Sequence, residues 1–147
     1  MSTIPVALVT GASGDIGGAI AKTLGGHGWH IIGTYVGAAD AAAQTVAAII
    51  DVGGSAEAMQ LDQRDPAAIE AIISNIDERY GHLDVLVNNA AWNIGIPFRR
   101  LDDLTADIWD RVMETNLRAP FLLARAAAKL LKAGDGGHIV NISSAGG

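Results

Sequence analysis

The 147-residue sequence predicts an α/β fold, in which one doubly wound parallel sheet carries helices on both faces. Short apolar runs alternate along the chain with longer helical patterns, which is the first observation behind this prediction. The second is the nearly continuous apolar run at residues 83–87, typical of a strand buried on both faces. The third is composition, because 18 glycines against two phenylalanines and two tyrosines favour a tightly turned α/β protein over a β sandwich.

Five strands are predicted, at residues 6–10, 29–35, 56–61, 83–87 and 138–142. Helices are predicted at residues 16–24, 40–52, 66–80 and about 105–132, with a long loop over 90–104. The third helix has the clearest signals, with Asp65 as N-cap, Pro66 as its first residue and Gly81 beyond its end. Its apolar face consists of residues three or four apart: Ile69, Ile72, Ile73, Ile76 and Tyr80. Strict alternation of strands and helices requires right-handed crossovers, and therefore helices on both faces of the sheet.

The bulk composition limits the class of protein. The length suits one domain spanning residues 1–147, and 50% hydrophobic residues argue against disorder. The net charge of −6 argues against a nucleic-acid or anionic-membrane partner, but not against a phosphate ligand, which backbone N–H groups can bind. The absence of cysteine excludes a disulfide framework and a thiolate metal site. We expect a cytoplasmic protein, since the sequence shows neither a signal peptide nor an apolar run of membrane-spanning length.

Residues 10–17 form a glycine-rich segment between the first strand and the first helix. Glycines at this point let the chain turn sharply and let its backbone approach a pyrophosphate. The helix N-terminus behind the turn supplies N–H donors and the positive end of a dipole. The segment therefore predicts a phosphate-binding loop whose candidate contacts are Gly11, Ser13, Gly14, Asp15 and Ile16.

This loop resembles the Thr-Gly-x-x-x-Gly-x-Gly signature of the short-chain dehydrogenase/reductase family. Thr10, Gly11 and Gly17 match that signature, whereas Asp15 stands at the position of its middle glycine. Asp15 either caps the helix or places a carboxylate near the cofactor phosphates, where it would weaken binding. The resemblance covers essentially the whole chain and implies a Rossmann-like sheet of strand order 3-2-1-4-5.

Further motifs of the family follow in the same order. Asp62, directly after the third strand, corresponds to the aspartate that receives the adenine amino group, and the next backbone N–H, of Gln63, meets the ring. The Asn-Asn-Ala-Ala segment at residues 88–91 resembles the family's Asn-Asn-Ala-Gly motif. In that motif Asn89 ties adjacent strand ends together, with its backbone beside the cofactor ribose. The resemblance also places Ala90, Ala91 and Ile142 among the residues that contact the cofactor.

The end of the second strand predicts which dinucleotide is preferred. An acidic residue there selects NAD by binding the adenosine ribose, but Thr34, Tyr35 and Val36 occupy the place and Asp40 lies deeper in the next segment. A 2′-phosphate would therefore not be repelled, although the sequence shows no Arg or Lys nearby to attract it. We expect a weak preference for NADP(H) over NAD(H), with Tyr35 among the contacts.

The reacting end of the predicted site is incomplete in this sequence. In the family, the backbone carbonyl of Asn116 would connect a catalytic lysine to solvent through a water; the alternative is a solvent-facing asparagine. Ser144 aligns with the serine that hydrogen-bonds the substrate oxygen, and Ser143 is the adjacent alternative. The family's Tyr-x-x-x-Lys motif is missing, because Tyr35 and Tyr80 are not followed by lysine four residues later. We expect that motif beyond Gly147.

The leading hypothesis is an NAD(P)-dependent oxidoreductase that transfers hydride between nicotinamide and a carbonyl or secondary alcohol. Its partners would be that small-molecule substrate and further copies of the chain, in a homodimer or homotetramer formed through the helix at 105–132. The alternative is a non-catalytic dinucleotide-binding module or pseudoenzyme. A P-loop enzyme is disfavoured because no Gly-Lys-Ser/Thr follows the glycines, and a methyltransferase because no acid follows the second strand.

Overall fold

A parallel sheet of five strands forms the centre of the computed structural model, which describes residues 3–144. The strands are β1 (Val6–Val9), β2 (His30–Tyr35), β3 (Ser55–Gln60), β4 (Val85–Asn88) and β5 (His138–Asn141). Their order across the sheet is β3-β2-β1-β4-β5, and every neighbouring pair is parallel. The predicted strand order and the Rossmann-like, doubly wound α/β architecture are therefore confirmed.

Five α-helices connect the strands: α1 (Asp15–Gly26), α2 (Ala39–Asp51), α3 (Pro66–Tyr80), α4 (Ala106–Met113) and α5 (Ala119–Leu131). The ends of α3 are formed as predicted, because the Asp65 side chain accepts from the Ala67 N–H at 2.9 Å and Gly81 has a left-handed φ of 71°. A short 3₁₀ helix, Phe98–Asp103, lies within the segment predicted to be a loop. Among residues 3–144, no helix is both long and apolar enough to cross a membrane.

The helix predicted over residues 105–132 is interrupted by a π-helical turn, Glu114–Arg118, between α4 and α5. At the end of this turn the Ala119 N–H donates to the Glu114 carbonyl, five residues earlier, instead of to the carbonyl four residues earlier. The next residue is Pro120, which has no N–H to donate. The regular α-helical ladder therefore cannot continue through this turn.

Each face of the sheet is buried by its own pair of helices. One core lies beneath α1 and α2, and the other lies beneath α3 and α5. Successive side chains of β1 enter the two cores alternately, so that Val6 and Leu8 pack under α3 and α5 while Ala7 and Val9 face α1 and α2. Complete burial of a side chain such as Leu8 stabilises the fold by roughly 2 kcal/mol. The two cores hold the strand ends in fixed positions.

β5 forms one edge of the sheet, and within residues 3–144 it pairs only with β4. Its Ile139 and Val140 side chains are 45% and 43% exposed. An apolar groove of about 420 Å³ runs between α1 and the strands β4 and β5. It is lined by Ala19, Ile20, Thr23, Leu24, Val85, Val87, Val140 and Ile142. An exposed edge of this kind favours association with further polypeptide.

A network of polar side chains joins β2, β3 and α3. The Glu57 carboxylate accepts hydrogen bonds from Arg79 Nη1 and from the Tyr80 hydroxyl, both at 2.8 Å, and that hydroxyl also lies 2.8 Å from His30 Nε2. Burial alone would raise the pKa of Glu57, but the hydrogen bonds from Arg79, Tyr80 and His30 outweigh it and hold the pKa below its ordinary value of 4.5. Burial and the adjacent carboxylate raise the pKa of Tyr80 to about 12. The network therefore contains an ionised Glu57 and a neutral Tyr80 at neutral pH.

The substitution Glu57→Gln should lower the free energy of unfolding at pH 7 by about 1–3 kcal/mol, because it removes the charged acceptor of two hydrogen bonds. A folded-state pKa below 4.5 means that this contribution is present above pH 4.5 and is lost as the pH falls through the folded-state value. The difference between wild type and variant should therefore shrink at pH 3, as measured by urea unfolding. Glu70→Gln, an exposed carboxylate on α3, is the control and should change little. A pH-independent difference for Glu57→Gln would contradict this account.

Candidate functional site

A cavity of about 620 Å³ lies at the edge of the sheet where the strands end. It is bounded by the segments that follow β1, β2, β3 and β4, together with parts of α4 and the π-helical turn. The lining residues predicted from the sequence are Gly11, Ser13, Gly14, Asp15, Ile16, Tyr35, Asp62, Gln63, Asn89, Ala90 and Ala91. The cavity spans the junction of β1 with β4, which is the switch point of the strand order and the usual ligand position in open α/β sheets.

The glycine-rich segment is packed tightly against the end of β4. Gly11 has a φ of 69°, and a Cβ built there would lie 3.0 Å from the Ala90 Cα atom. A Cβ on Gly17 would lie 2.5 Å from Asn89 Nδ2 and still closer to the Gly11 carbonyl oxygen. Both positions therefore require glycine, Gly11 for its backbone conformation and Gly17 for the lack of space.

Thr10 and Asn89 connect β1 to β4 directly beneath this loop. The Thr10 hydroxyl oxygen accepts from the backbone N–H groups of Asn89 and Ala90, each at 3.0 Å. The Asn89 side chain donates to the Thr10 carbonyl at 3.0 Å and to the Gly11 carbonyl at 3.4 Å. These contacts fix the floor of the cavity, and they engage the Asn89 side-chain nitrogen with the backbone of β1 and of the loop.

Asp15 does not cap α1, contrary to one of the two interpretations of this residue. Gly14 occupies the N-cap position and Asp15 is the first helical residue, so its carboxylate lies in the first turn. A negative charge there interacts favourably with the helix dipole. Asp15 is exposed and lines the cavity beside the first N–H groups of α1, which have no acceptor within the helix. Its charge therefore lies at the end of the cavity best suited to an anion.

Asp62 is paired with a guanidinium that the sequence analysis did not consider. Arg64 Nε and Nη2 donate to the two Asp62 carboxylate oxygens at 3.0 and 2.6 Å. The hydrogen bond from Arg64 is the main cause that lowers the pKa of Asp62, and the charge of Arg111 acts in the same direction. Asp62 is therefore an ionised acceptor that is already partly engaged within the protein.

Arg64 and Arg111 both line the cavity, whereas the sequence shows no basic residue near the end of β2. The Arg111 guanidinium stacks over the Trp92 indole at 4.0 Å from the ring centre. Trp92 thus forms part of the wall, while the adjacent Asn93 and Ile94 do not line it. Arg64 is only two residues from Asp62 and could have been found from that adjacency, but Arg111 comes from a distant helix.

Tyr35 and Val36 line the cavity at the end of β2, together with Gly37 and Ala38. Asp40 is exposed on α2 and is not among the lining residues of the described chain. The β2 end of the cavity is therefore formed without a carboxylate.

Asn116, Ser144 and Ile142 are not among the residues that line this cavity in the described chain. The Asn116 side chain accepts from the Trp92 N–H and donates to the Trp92 carbonyl, both at 2.8 Å, so it holds the loop after β4 against the π-helical turn. Ser144 is exposed beyond the end of β5. Ile142 lies in the apolar groove beside α1, and its N–H donates to the Asn88 carbonyl at 3.0 Å.

The strand order and the loop-bounded cavity define a Rossmann-like α/β domain, and its relatives are known. The family model described as short chain dehydrogenase matches residues 5–147. Versicolorin reductase of Emericella nidulans is 37% identical over 139 residues, which are 95% of this chain and 51% of that protein. The chain therefore belongs to the short-chain dehydrogenase/reductase family, and it spans about half the length of the curated relatives it matches.

Two solved structures with NADP share the fold. A metagenomic short-chain oxidoreductase in complex with NADP is 39% identical with a TM-score of 0.88, over 95% of this chain and 62% of that one. A short chain dehydrogenase from Burkholderia cenocepacia J2315 in complex with NADP is 40% identical with a TM-score of 0.87, over 96% of this chain and 56% of that one.

The substitution Gly17→Ala should destabilise the chain by roughly 2–3 kcal/mol, because its Cβ would overlap the Gly11 carbonyl and the Asn89 amide. Gly26→Ala in the same helix is the matched control, since a Cβ there meets nothing within 4 Å. Its free energy of unfolding should stay the same or rise by up to about 1 kcal/mol. Urea unfolding followed by circular dichroism measures both, and equal effects of the two substitutions would refute the proposed packing.

Proposed function

We propose that this chain forms the cofactor-binding part of an NAD(P)-dependent oxidoreductase and binds NADP(H) in the cavity at the carboxyl ends of the strands. The observation that carries the proposal is the contact of Gly17 with Gly11 and Asn89, which leaves no room for a side chain. This contact brings the backbone of the loop and the N-terminus of α1 to the cavity surface, where a pyrophosphate can approach main-chain N–H groups.

The cofactor phosphates would lie against Gly11, Ser13, Gly14 and Ile16. The adenine would lie towards Asp62 and the backbone N–H of Gln63, with Tyr35 near its ribose. Asp62 is ionised and its oxygens are shared with Arg64, so an adenine amino group would share this acceptor or displace part of the guanidinium contact. The ribose nearer the nicotinamide would lie beside Asn89, Ala90 and Ala91, with Ile142 further along the same edge.

The preference for NADP(H) over NAD(H) is supported by the β2 end of the cavity, where no carboxylate repels a 2′-phosphate. Arg64 and Arg111 make the wall less acidic than the protein as a whole, which carries a net charge of −6. Related structures of the family contain NADP. The preference is weak because neither arginine belongs to the segment directly after β2.

The bound nicotinamide would supply or accept a hydride at the carbon of a carbonyl or secondary alcohol. Ser144 would donate a hydrogen bond to the substrate oxygen and so stabilise the charge that develops there. Asn116 would hold the loop that contains Trp92, and its backbone carbonyl is deprived of the usual helical donor by Pro120. That carbonyl is thus suited to accept from a water in a proton relay.

The cofactor proposal predicts saturable, one-to-one binding of NADPH to the purified chain by isothermal titration calorimetry. NADH should bind more weakly by a factor of up to about ten, equal to about 1.4 kcal/mol. The controls are Gly26→Ala, which should bind as wild type does, and Gly17→Ala, which should bind neither dinucleotide. Absence of binding by both dinucleotides to the folded wild type would refute the function, and tighter binding of NADH would refute the preference.

A non-catalytic dinucleotide-binding module is the second candidate. It would use the same cavity, whose lining needs no Tyr-x-x-x-Lys segment to bind a dinucleotide. The coding sequence after codon 147 discriminates the two candidates, because an in-frame Tyr-x-x-x-Lys there would supply the proton donor and its cation.

The helices between 105 and 132 also support a homodimer or homotetramer. Trp109, Met113, Leu117 and Phe121 are four residues apart and form an exposed apolar stripe, with Leu117 and Phe121 about 60% exposed. A groove of about 640 Å³ runs beside this stripe, and Glu114 and Arg118 within it form an ion pair of 3.3 Å. An apolar stripe flanked by both charges can pack against its own copy about a two-fold axis.

Leu117→Glu should therefore shift the assembly to monomer, because two buried carboxylates would face each other across the two-fold axis. Sedimentation velocity over a range of protein concentrations measures the shift. Leu101→Glu is the matched control, since Leu101 is 60% exposed but lies on the 3₁₀ helix outside the stripe, and its assembly should be unchanged. A wild-type chain that sediments as a monomer throughout, or equal effects of both substitutions, would refute this interface.

A further inference from the structure

We infer that Gln63 is a positioning residue of the cofactor site, in addition to the contact of its backbone with the adenine. Its side-chain amide bridges two walls of the cavity that are far apart in sequence. Gln63 Nε2 donates to the Thr115 carbonyl at 2.8 Å and to the Ala90 carbonyl at 3.2 Å. The inference rests on the proposed cofactor binding, because the position of these walls matters only for a ligand between them.

Neither the α-helical nor the π-helical ladder supplies the Thr115 carbonyl with a backbone donor, and Gln63 supplies one from its side chain. In an α-helical ladder its donor would be the Ala119 N–H, which donates to Glu114 instead. In the π-helical ladder its donor would come from Pro120, which has no N–H. Thr115 is buried, and a buried carbonyl without a partner costs roughly 1–3 kcal/mol. The Gln63 amide removes that cost and thereby stabilises the π-helical turn.

The Ala90 carbonyl is the second acceptor, and Ala90 forms part of the cavity floor. Its N–H donates to the Thr10 hydroxyl at 3.0 Å, and its Cα atom lies 3.0 Å from where a Gly11 Cβ would stand. A displacement of Ala90 would therefore be transmitted to the phosphate loop. Gln63 thus fixes the distance between the π-helical turn on one wall and the Ala90–Gly11 contact on the floor.

The side chain at position 63 must supply two N–H donors from one buried nitrogen. Gln63 is 4% exposed, so water cannot replace a lost donor readily. Methionine has nearly the same length but no donor, and glutamate has nearly the same shape but presents oxygens to two carbonyls. Packing alone would favour glutamate as the milder replacement. Loss of the bridge instead predicts that both replacements are harmful, because a carboxyl between two carbonyl oxygens either ionises and repels both or is protonated and donates to only one.

The test uses Gln63→Met and Gln63→Glu in the 147-residue chain, at a temperature at which each variant is fully folded by circular dichroism. Amide hydrogen exchange of the ligand-free chain, measured by mass spectrometry, should become faster in the segments around 88–92 and 111–118. NADPH affinity by calorimetry should fall about tenfold for each variant, because each leaves at least one of the two carbonyls without its donor. A loss of affinity in both variants that accompanies faster exchange in both segments is the signature of the bridge.

Ile76→Val is the control for a purely structural effect, because Ile76 lies on the fully buried face of α3 and is not part of the cavity. It should lower thermal stability without changing NADPH affinity or the exchange of the two segments. Unchanged exchange in both Gln63 variants would overturn the bridge, even if NADPH binds. Faster exchange with unchanged affinity would overturn its role in positioning. Failure of the wild type to bind either dinucleotide would refute the proposed function and, with it, the role of Gln63 towards a cofactor, while the exchange data would still decide whether the bridge exists.

Discussion

The contact between the β1–α1 turn and the end of β4 is the constraint on which the rest of the site depends. Gly17 lies directly against the Gly11 carbonyl and the Asn89 side chain, so any side chain at Gly17 would separate the turn from the strand. Beside this contact, the backbone N–H groups of Asn89 and Ala90 donate to the Thr10 hydroxyl. One tightly packed contact therefore sets the position of α1 against the sheet and forms the cavity floor. The position of the loop after β4 depends on the position of the phosphate loop.

The π-helical turn transmits this constraint to the far wall of the cavity. An uninterrupted helix would satisfy its own carbonyls and would have no need of Gln63 or of the loop after β4. Because Pro120 withdraws a donor and the ladder changes register, Thr115 accepts from Gln63. The side chain of Asn116, in the same turn, binds the backbone of Trp92 in the loop after β4. The interruption of the helix thus connects the π-helical turn with Gln63 after β3 and with the loop after β4.

Local signals made most of the fold predictable, and long-range pairing explains what was missed. Asp65 marks the start of α3 through its side-chain acceptor, and Gly81 marks the end through its left-handed backbone. The burial of β1 is predictable because all four of its residues are apolar. The Gln63–Thr115 bond joins residues 52 apart, and no pattern near either residue indicates it. Likewise, Arg111 lines the cavity from α4, a helix without buried residues, and a sequence cannot show which side of such a helix faces a loop. Asp15 was misjudged as a possible cap because Gly14 fills the N-cap position without a side chain.

The charges around the cavity explain how an acidic protein can offer a site for an anion. The net charge is −6, yet the lining contains two carboxylates, Asp15 and Asp62, and two guanidiniums, Arg64 and Arg111. Arg64 neutralises Asp62 at the end suited to adenine, where a polar acceptor is useful and a free charge is not. Asp15 lies at the phosphate end and forms no salt bridge within residues 3–144, so attraction there must come from the N–H groups and dipole of α1 and must exceed the repulsion. Selectivity for phosphate then depends on the geometry of the loop more than on net charge. That geometry depends in turn on the contact of Gly17 with the end of β4.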